Sequence, residues 1–339
     1  MLCFKVAITL LGLLCLGNAF IQKSQRAFRP QTKSRAQKAN LVMVDPSEIH
    51  IMMNGLPGAM GREVAGACIR RGFKIAPYAF TGPDVTEALI DIDDLEGGEK
   101  IGVKLMRGPT DEKKEYACDG IIDGLKAACG DYLIAIDYTH PTAVNCNANF
   151  YAKHQLNFVM GTTGGDRAAL QAVTEGGGHY AIVAPNMAKG IVALQAGLDD
   201  MARAYPGAFN GYKLTIDESH QSTKADTSGT AKAIAGSLAT LNGAPFDLED
   251  INMIRDAEGQ RAFGVPEEYL KGHAYHTYAL VSPDGTTEFQ FRHNVNGRRV
   301  YAEGTADAVQ FLAEQIKAKN DKKVFSMIDV LKAGALKDQ

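Results

Sequence analysis

The chain has 339 residues, of which 45% are hydrophobic, and its formal net charge at pH 7 is −3. This length is enough for two domains, and no internal repeat or low-complexity tract follows residue 44. The six cysteines form no C-x-x-C pair, and no cluster of His, Cys, Asp and Glu has metal-ligand spacing, so we expect neither structural disulfides nor a metal site.

The first 44 residues have the composition of a targeting sequence. Residues 1–19 contain Lys5 and then an apolar run over 6–16, which predicts a secretory signal peptide too short to span a membrane. Residues 20–44 carry six basic residues and no acidic one, as in a transit peptide. The two segments together are similar to the bipartite plastid address of algae with secondary plastids, so we expect the plastid stroma. The alternative is secretion followed by a basic linker.

Removal of these residues would leave a more acidic chain. They carry seven positive and no negative charges, so the formal charge of the remainder is about −10. An acidic surface argues against binding to nucleic acids or to anionic membranes. We therefore expect a small-molecule partner.

The first apolar run covers residues 50–53, and a glycine-rich turn follows it. The glycines fit the spacing G-x-x-G-x-x-G, and a helical pattern follows over 62–71. Glycines at this place allow a tight turn and let the backbone approach a pyrophosphate at the helix N-terminus. The turn therefore predicts a dinucleotide site, against the alternative of an ordinary glycine-rich connection. Its predicted cofactor residues are Gly55, Gly58, Ala59, Met60 and Gly61.

The next strand, over 74–82, favours NADPH. An acidic residue at its end would hydrogen-bond the ribose of NAD, but Phe80, Thr81 and Gly82 stand there instead. Thr81 could donate a hydrogen bond to a 2′-phosphate. No arginine is adjacent in sequence to bind that phosphate with two hydrogen bonds, so NADH stays as the second cofactor.

Three further apolar runs, over 131–139, 156–160 and 181–187, also end in polar tips. Ligands of open α/β sheets bind outside the carboxyl ends of the strands. One such tip would be ordinary punctuation between a strand and a helix, but three in succession indicate a shared crevice. The predicted cofactor residues at these tips are Tyr138, Thr139, Gly161, Thr162, Thr163, Pro185, Asn186 and Met187.

The segment 215–230 contains the residues best suited to bind and protonate a substrate. His220 and Lys224 lie in a predicted polar loop, and Ser228-Gly229-Thr230 opens an alanine-rich helix. Free backbone N–H groups and the positive end of the helix dipole favour an anion at such a start. A proton donor, a cation and an anion site in one loop suit a small carboxylate substrate that gains a proton. The alternative is a solvated loop with an ordinary helix cap.

These motifs occur in the same order in one known family. The glycine turn with Met60, the sequences D-Y-T-H-P at 137–141, G-T-T-G at 161–164 and A-P-N-M at 184–187, and the loop at 218–231 resemble the dihydrodipicolinate reductase family. Gln221 and the stretches at 265–268 and 272–278 look like its plant-type branch. The resemblance covers about residues 48–335. It departs from the bacterial members at Ala59 and Gln221, where these carry arginine and histidine.

The resemblance implies an enzyme that reduces 4-hydroxy-tetrahydrodipicolinate, a cyclic dicarboxylate, with NADPH or NADH in lysine biosynthesis through diaminopimelate. It implies that Lys224 donates the proton, assisted by His220. The substrate residues that it implies are Gln221, Ser228, Gly229 and Thr230. It also implies a homodimer, with a tetramer as the alternative.

The predicted fold class is α/β, with a Rossmann-like, doubly wound nucleotide-binding domain and an α+β domain for substrate binding and oligomerisation that contains a mixed open sheet. We place the nucleotide domain at 45–184 and the second domain at 185–303. By the resemblance, helices over 304–339 return to the nucleotide domain.

Two other functions stay open. One is a related two-domain NAD(P)-dependent amino-acid dehydrogenase, which the spelling and spacing of 218–230 disfavour. The other is a non-catalytic NADP sensor, which the presence of both His220 and Lys224 disfavours. His273 and His276 alternate in a strand-like pattern, so we interpret them as half-buried structural residues.

Overall fold

A computed structural model describes residues 43–109 and 118–334. The predicted signal peptide and almost all of the transit-like segment lie outside the described residues. From Met43 onward the chain forms one compact unit. Among the described residues, no helix combines the length and the apolar character that crossing a bilayer requires.

The first half of this unit is built on a parallel sheet. Ile51 and Met53 of its first strand belong to one buried cluster, and Met52 belongs to another, because successive side chains point to opposite faces. Burial on both faces is typical of parallel sheets covered by helices. The sheet confirms the predicted Rossmann-like architecture. Its strands, in spatial order, are β13 (Val324–Phe325), β8 (Ala181–Val183), β7 (Asn157–Met160), β6 (Leu133–Asp137), β1 (His50–Asn54) and β2 (Lys74–Ile75).

Helices pack against this sheet. Val64 and Val309, from two of them, share a buried cluster with Ile51 of β1. Ile122 and Ala148, from two others, lie in the second cluster with Phe158 of β7. These helices are α1 (Ala59–Arg70), α2 (Asp119–Cys129), α3 (Val144–Lys153), α4 (Arg167–Gly176), α8 (Arg299–Lys317) and α9 (Met327–Lys332).

The predicted strand at 74–82 is wrong as one strand. It breaks at Pro77, which has no N–H for a ladder hydrogen bond. After this residue, β3 (Tyr78–Thr81) joins a separate small sheet, in which β5 (Ile101–Arg107) lies between β3 and β4 (Leu89–Ile92). The backbone of Phe80 remains tied to the first sheet, because its N–H donates to Oδ1 of Asn54 at 2.8 Å.

The second half confirms the predicted mixed sheet. Leu214, Ile216, Tyr278 and Leu280 form its apolar face, which is buried together with Leu238. The strands, in spatial order, are β10 (Asn252–Ile254), β9 (Lys213–His220), β11 (His273–Val281) and β12 (Glu288–Asn296), of which only the pair β9–β10 is parallel. The helices of this half are α5 (Lys189–Ala204), α6 (Gly229–Asn242) and α7 (Ala257–Ala262).

Several elements extend further than the sequence pattern predicts. The ladder between β9 and β11 continues to the pair His220 and Ala274, so His220 ends a strand and does not lie in a loop. β12 pairs with β11 over its whole length and ends at Asn296. Helix α8 begins at Arg299, five residues before the predicted start of the C-terminal helices at residue 304.

Helix α8 joins the two halves. A Cβ atom at Gly304 would lie 1.8 Å from the carbonyl oxygen of Met187, so only glycine permits this approach. One turn later, the buried carboxylate of Asp307 binds Arg71, which follows the last residue of α1, and Lys189 of α5, the latter at 2.5 Å between Oδ2 and Nζ. A single helix thereby fixes the start of α5 against the nucleotide half.

Candidate active site

The glycine turn after β1 lies so close to neighbouring backbone that side chains would clash there. Gly55 has φ of +102°, and a Cβ atom there would lie 2.2 Å from the carbonyl oxygen of Tyr138. Cβ atoms at Gly58 and Gly61 would lie 2.8 and 3.0 Å from the carbonyl oxygen of Gly55. Only glycine fits these positions, and the turn presents bare backbone at the start of α1, as a pyrophosphate site requires.

A cavity of about 770 Å³ opens beside this turn. It is bounded by residues that follow β1, β3, β5 and β6, at the carboxyl ends of these strands. Gly55, Gly58, Thr81, Tyr138 and Thr139 line it, among the predicted cofactor residues. The remaining predicted cofactor residues and the 218–230 segment do not line this cavity.

Asp137, the buried last residue of β6, organises the strand ends around the cavity. Its carboxylate accepts hydrogen bonds from the hydroxyls of Thr139 and Thr162, each at 2.7 Å. It also accepts from Nδ2 of Asn147 at 2.8 Å and from the hydroxyl of Tyr151 at 2.7 Å. The carboxylate therefore brings the predicted tips after β6 and β7 together.

The adenosine end of the predicted site differs from the sequence interpretation. The hydroxyl of Thr81 donates to the carbonyl of Leu56 at 2.7 Å, so the predicted bond to a 2′-phosphate, which stays a prediction, would have to replace this contact. An arginine is nevertheless present. Arg107 pairs with Thr81 across β5 and β3, lines the cavity, and donates from Nη1 to the carbonyl of Gly82 at 2.8 Å.

The other predicted centre lies at the polar end of the mixed sheet. Glu218 and His220 continue the face of β9 that carries Ile216, because they follow at intervals of two. On the neighbouring strands, His276 lies opposite Glu218, and His293 lies opposite His276. One row across three strands thus holds a carboxylate and two imidazoles, with His220 next to it.

Glu218 anchors this row. Its carboxylate binds the guanidinium of Arg255 and accepts the backbone N–H of Ser228 at 3.0 Å. Burial alone would raise the pKa of Glu218, but the neighbouring His276, Arg255 and Ser228 N–H together lower it to about 2. The side chain is fully buried and ionised at neutral pH.

His220 is held as a neutral ring. Its Nε2 lies 3.3 Å from Nε2 of His276, and Nε2 of Gln260 donates to its carbonyl at 2.9 Å. The pKa of His220 is lowered to about 3, mainly by burial and next by the neighbouring His276. At neutral pH this imidazole therefore carries one proton and no charge.

Lys224 supplies the positive charge. Its Nζ lies 2.7 Å from Oδ1 of Asp226, and its side chain is 22% exposed, so it is open to a ligand. Arg255 donates from Nε to the carbonyl of Lys224 at 2.8 Å and from Nη1 to the carbonyl of Glu218 at 3.3 Å. The guanidinium of Arg255 therefore connects the strand that ends at His220 with the loop that contains Lys224. Gln221 begins that loop and accepts the N–H of Lys224 at 3.0 Å.

The start of α6 is suited to an anion. The side chain of the N-cap residue, Ser228, makes no capping hydrogen bond to this helix, and a Cβ atom at Gly229 would meet nothing within 4 Å. The hydroxyl of Thr230 accepts a hydrogen bond from Nδ2 of Asn186 at 3.0 Å and so keeps its own proton for a ligand. Asn186 stands between Pro185 and Met187 after β8, so this bond connects the predicted cofactor and substrate residues.

One metal-like grouping also appears, which sequence spacing could not indicate. Ligand atoms of Glu218, His220 and His276 lie within 4.8 Å of one another. The carboxylate is already neutralised by Arg255 and hydrogen-bonded to Ser228, and a cationic guanidinium beside a metal ion is unfavourable. We interpret the group as a hydrogen-bonded network.

Comparison with known proteins identifies the family of both halves of the chain. The model of the N-terminal part of dihydrodipicolinate reductase matches residues 49–187, and the model of its C-terminal part matches residues 190–331. The chain belongs to the dihydrodipicolinate reductase family. The family predicted from the motifs is confirmed, and the chain is an oxidoreductase with a nucleotide-binding domain.

Plant members of the dihydrodipicolinate reductase family are similar over most of their length. A chloroplastic 4-hydroxy-tetrahydrodipicolinate reductase of Arabidopsis thaliana is 43% identical over 292 residues, which is 85% of this chain and 79% of the relative. A probable chloroplastic enzyme of Oryza sativa subsp. japonica is 42% identical over 290 residues, with 85% and 80% covered. The predicted likeness to the plant-type branch is confirmed.

A solved structure from the dihydrodipicolinate reductase family supports the fold. The dipicolinate-bound enzyme from Paenisporosarcina sp. TG-14 aligns with a TM-score of 0.52 at 20% identity, covering 82% of this chain and 97% of that one. Both halves of the described unit are thus found in one relative.

Sequence reasoning missed three residues of this candidate site. Arg107 and Arg255 lie far in sequence from the residues that they contact, and His276 was interpreted as structural. A signal for His276 was available, since it has the spacing of Tyr278 and Leu280 and so shares their face of the strand.

Proposed function

We propose that this chain reduces 4-hydroxy-tetrahydrodipicolinate to tetrahydrodipicolinate with a reduced nicotinamide cofactor, in lysine biosynthesis through diaminopimelate. The observation that carries the proposal is the grouping of Lys224, a neutral His220 and the uncapped start of α6 around Arg255. A cation and a proton donor beside an anion site match a cyclic dicarboxylate that must be protonated as it is reduced.

The reaction adds a hydride and a proton to the substrate and releases its hydroxyl as water. When bound, the reduced nicotinamide supplies the hydride. Lys224 donates the proton from its ammonium to the ring as negative charge develops there. His220 assists as a neutral hydrogen-bonding ring, because the low pKa caused by its burial removes the imidazolium form. Gly229 and Thr230 bind a carboxylate through backbone N–H groups and a hydroxyl, beside Ser228 and Gln221.

The residues around the cavity fit a dinucleotide, because Gly55, Gly58 and Gly61 permit the close backbone contacts of a tight turn at the start of α1, where a pyrophosphate binds. NADPH is the preferred cofactor in this proposal. Arg107 supports it, since its guanidinium lies on the strand beside Thr81, where the sequence has no acidic residue to bind the ribose of NAD.

Replacing Arg107 with alanine is expected to raise KM for NADPH about 10-fold and to leave KM for NADH unchanged, because a charged hydrogen bond to the 2′-phosphate is lost. Lys104→Ala, on the exposed side of the same strand, is the matched control. Steady-state kinetics and calorimetric titration with each cofactor measure the effect. Equal losses for both cofactors would remove Arg107 from phosphate recognition.

The purified protein tests the reaction directly. With enzymatically generated 4-hydroxy-tetrahydrodipicolinate, we expect substrate-dependent loss of NADPH absorbance. Absence of turnover with this substrate, together with oxidation of an amino acid by NADP⁺, would favour an amino-acid dehydrogenase. Cofactor binding without turnover of either would favour a non-catalytic NADP sensor.

The proposed assembly is a homodimer, with a tetramer as the alternative, formed through the open face of the mixed sheet. This face carries the exposed side chains of Glu288, Gln290, Arg292 and Asn294 on β12. Sedimentation velocity at micromolar concentration distinguishes these forms from a monomer.

The proposed location is the plastid stroma, reached by a bipartite address as in algae with secondary plastids. Chloroplastic relatives and the composition of residues 1–44 support it. A fluorescent fusion of residues 1–50 that appears in the medium would contradict it.

A further inference from the structure

A hydrogen bond joins His220 to His276 of the buried row. Nε2 of His220 and Nε2 of His276 lie 3.3 Å apart. Two N–H groups cannot point at each other, so exactly one of these nitrogens carries the proton when both rings are neutral. The ring that donates determines which tautomer the other ring adopts.

The surroundings of His276 decide which ring donates. Its Nε2 lies 3.7 Å from Oε2 of the ionised Glu218, which favours an N–H at that position. Its Nδ1 is buried and has no hydrogen-bond partner among the described residues. A proton on Nδ1 would be an unpaired buried donor, which costs about 1–3 kcal/mol. His276 is therefore protonated on Nε2.

The ring of His276 has little freedom to turn. It is 2% exposed, and it stacks on His293 with centroids 4.6 Å apart and on Tyr278 with an interplanar angle of 5°. These partners lie on β12 and on the same strand β11, so the sheet fixes the ring plane. The donor direction is set before any ligand binds.

We propose that His276 is a positioning residue that holds His220 in the Nδ1–H tautomer by donating from Nε2 to Nε2 of His220. His220 then offers Nδ1–H as its proton-bearing atom, and no described residue binds that nitrogen. Glu218 acts behind His276 by keeping the proton on its Nε2. This inference rests on the proposed function only for the catalytic role of His220.

The tautomer itself is measured without turnover. Long-range ¹H–¹⁵N correlation spectra of the full protein labelled at histidine distinguish Nδ1–H from Nε2–H, and His220→Asn assigns the signal. We expect His220 as Nδ1–H at pH 7, with a proton on Nε2 of His276. An Nε2–H signal for His220 in the wild type would overturn the proposal, whatever the enzyme reduces.

Kinetics test the consequence. His276→Phe keeps a ring but no donor, and we expect kcat to fall about 10- to 100-fold, the usual effect of losing a group that orients a catalytic histidine, with little change in KM. His276→Gln places an amide N–H near the original Nε2 and is expected to restore most of kcat. His179→Phe removes another buried histidine, which packs on Phe158 of β7 outside this row, and is the matched control, with near wild-type kcat.

The outcomes separate cleanly. Full kcat in His276→Phe, or equal losses in His276→Phe and His276→Gln, would overturn the positioning role. If His276→Phe does not fold, the wild-type spectrum and His276→Gln still decide. A wild-type protein with the expected tautomers but no reductase activity would contradict the proposed function and leave this inference standing.

Discussion

Replacing Lys224 with alanine is expected to lower kcat about 10²- to 10⁴-fold, the range for loss of a general acid. Lys224 is the cation of the loop, it is accessible to a ligand, and the neutral His220 beside it has no second proton to give. Lys232→Ala is the matched control, since Lys232 is an exposed lysine on α6, close to the same loop. Turnover at saturating substrate gives the measurement.

A second variant separates proton donation from simple charge. Lys224→Arg keeps the positive charge, but a guanidinium does not release a proton in proteins. If Lys224 is the acid, the arginine variant should be nearly as slow as the alanine variant, with KM closer to that of the wild type. Recovery of kcat by arginine would mean that Lys224 acts only by neutralising a carboxylate.

Replacing Glu218 with glutamine is expected to lower the free energy of unfolding by about 3–5 kcal/mol, as for breaking a buried ion pair. Both carboxylate oxygens accept from donors, one from Arg255 and the other from the N–H of Ser228. The amide nitrogen of glutamine is itself a donor, so either orientation places two donors against each other. Urea unfolding followed by circular dichroism measures the change.

Glu267→Gln is the matched control for this substitution. Glu267 also pairs with an arginine, Arg261, but both side chains are largely exposed. Surface ion pairs contribute little to stability, so the unfolding midpoint should hardly move. Similar losses in the two variants would contradict the importance of burial at Glu218.

The loss in Glu218→Gln should also depend on pH. The pKa of Glu218 is lowered from 4.5 to about 2 in the folded protein, so ionised Glu218 stabilises the fold fully above the unfolded value. This contribution is lost as the pH falls through the folded value. The difference between wild type and variant should therefore be largest at neutral pH and shrink below about pH 4.5. A difference that does not change between pH 7 and pH 3 would contradict this account.

The parts of the fold that depend on residues adjacent in sequence were predictable. The apolar run at 50–53 is buried on both faces, and the glycines that follow need their small size for contacts within the turn and with the next strand end. The helix that opens at Gly229 follows from its sequence in the same way. Pro77 should have been given its full weight, because its missing N–H is a local property.

The parts that depend on strand register were not predictable. The pairing of Arg107 with Thr81 and of His276 with Glu218 joins residues far apart in the chain, and no local pattern specifies these partners. The hydrogen bond from the hydroxyl of Thr81 to the carbonyl of Leu56 was equally unpredictable, because these residues are also distant in the chain. Strand β13 has two residues and is too short for a periodicity to detect.

Helix α8 and strand β13 also have a consequence for biosynthesis. A nascent chain that has emerged as far as Val183 has made most of the parallel sheet, but it lacks the edge strand at 324–325 and the helix that covers α1. Apolar side chains such as Val64 then lack partners such as Val309, which are synthesised only after the mixed sheet of the second half. The nucleotide half can therefore complete its core only after α8 and β13 have emerged. A chain that terminates before them would expose the apolar side chains of α1 and the edge of β8.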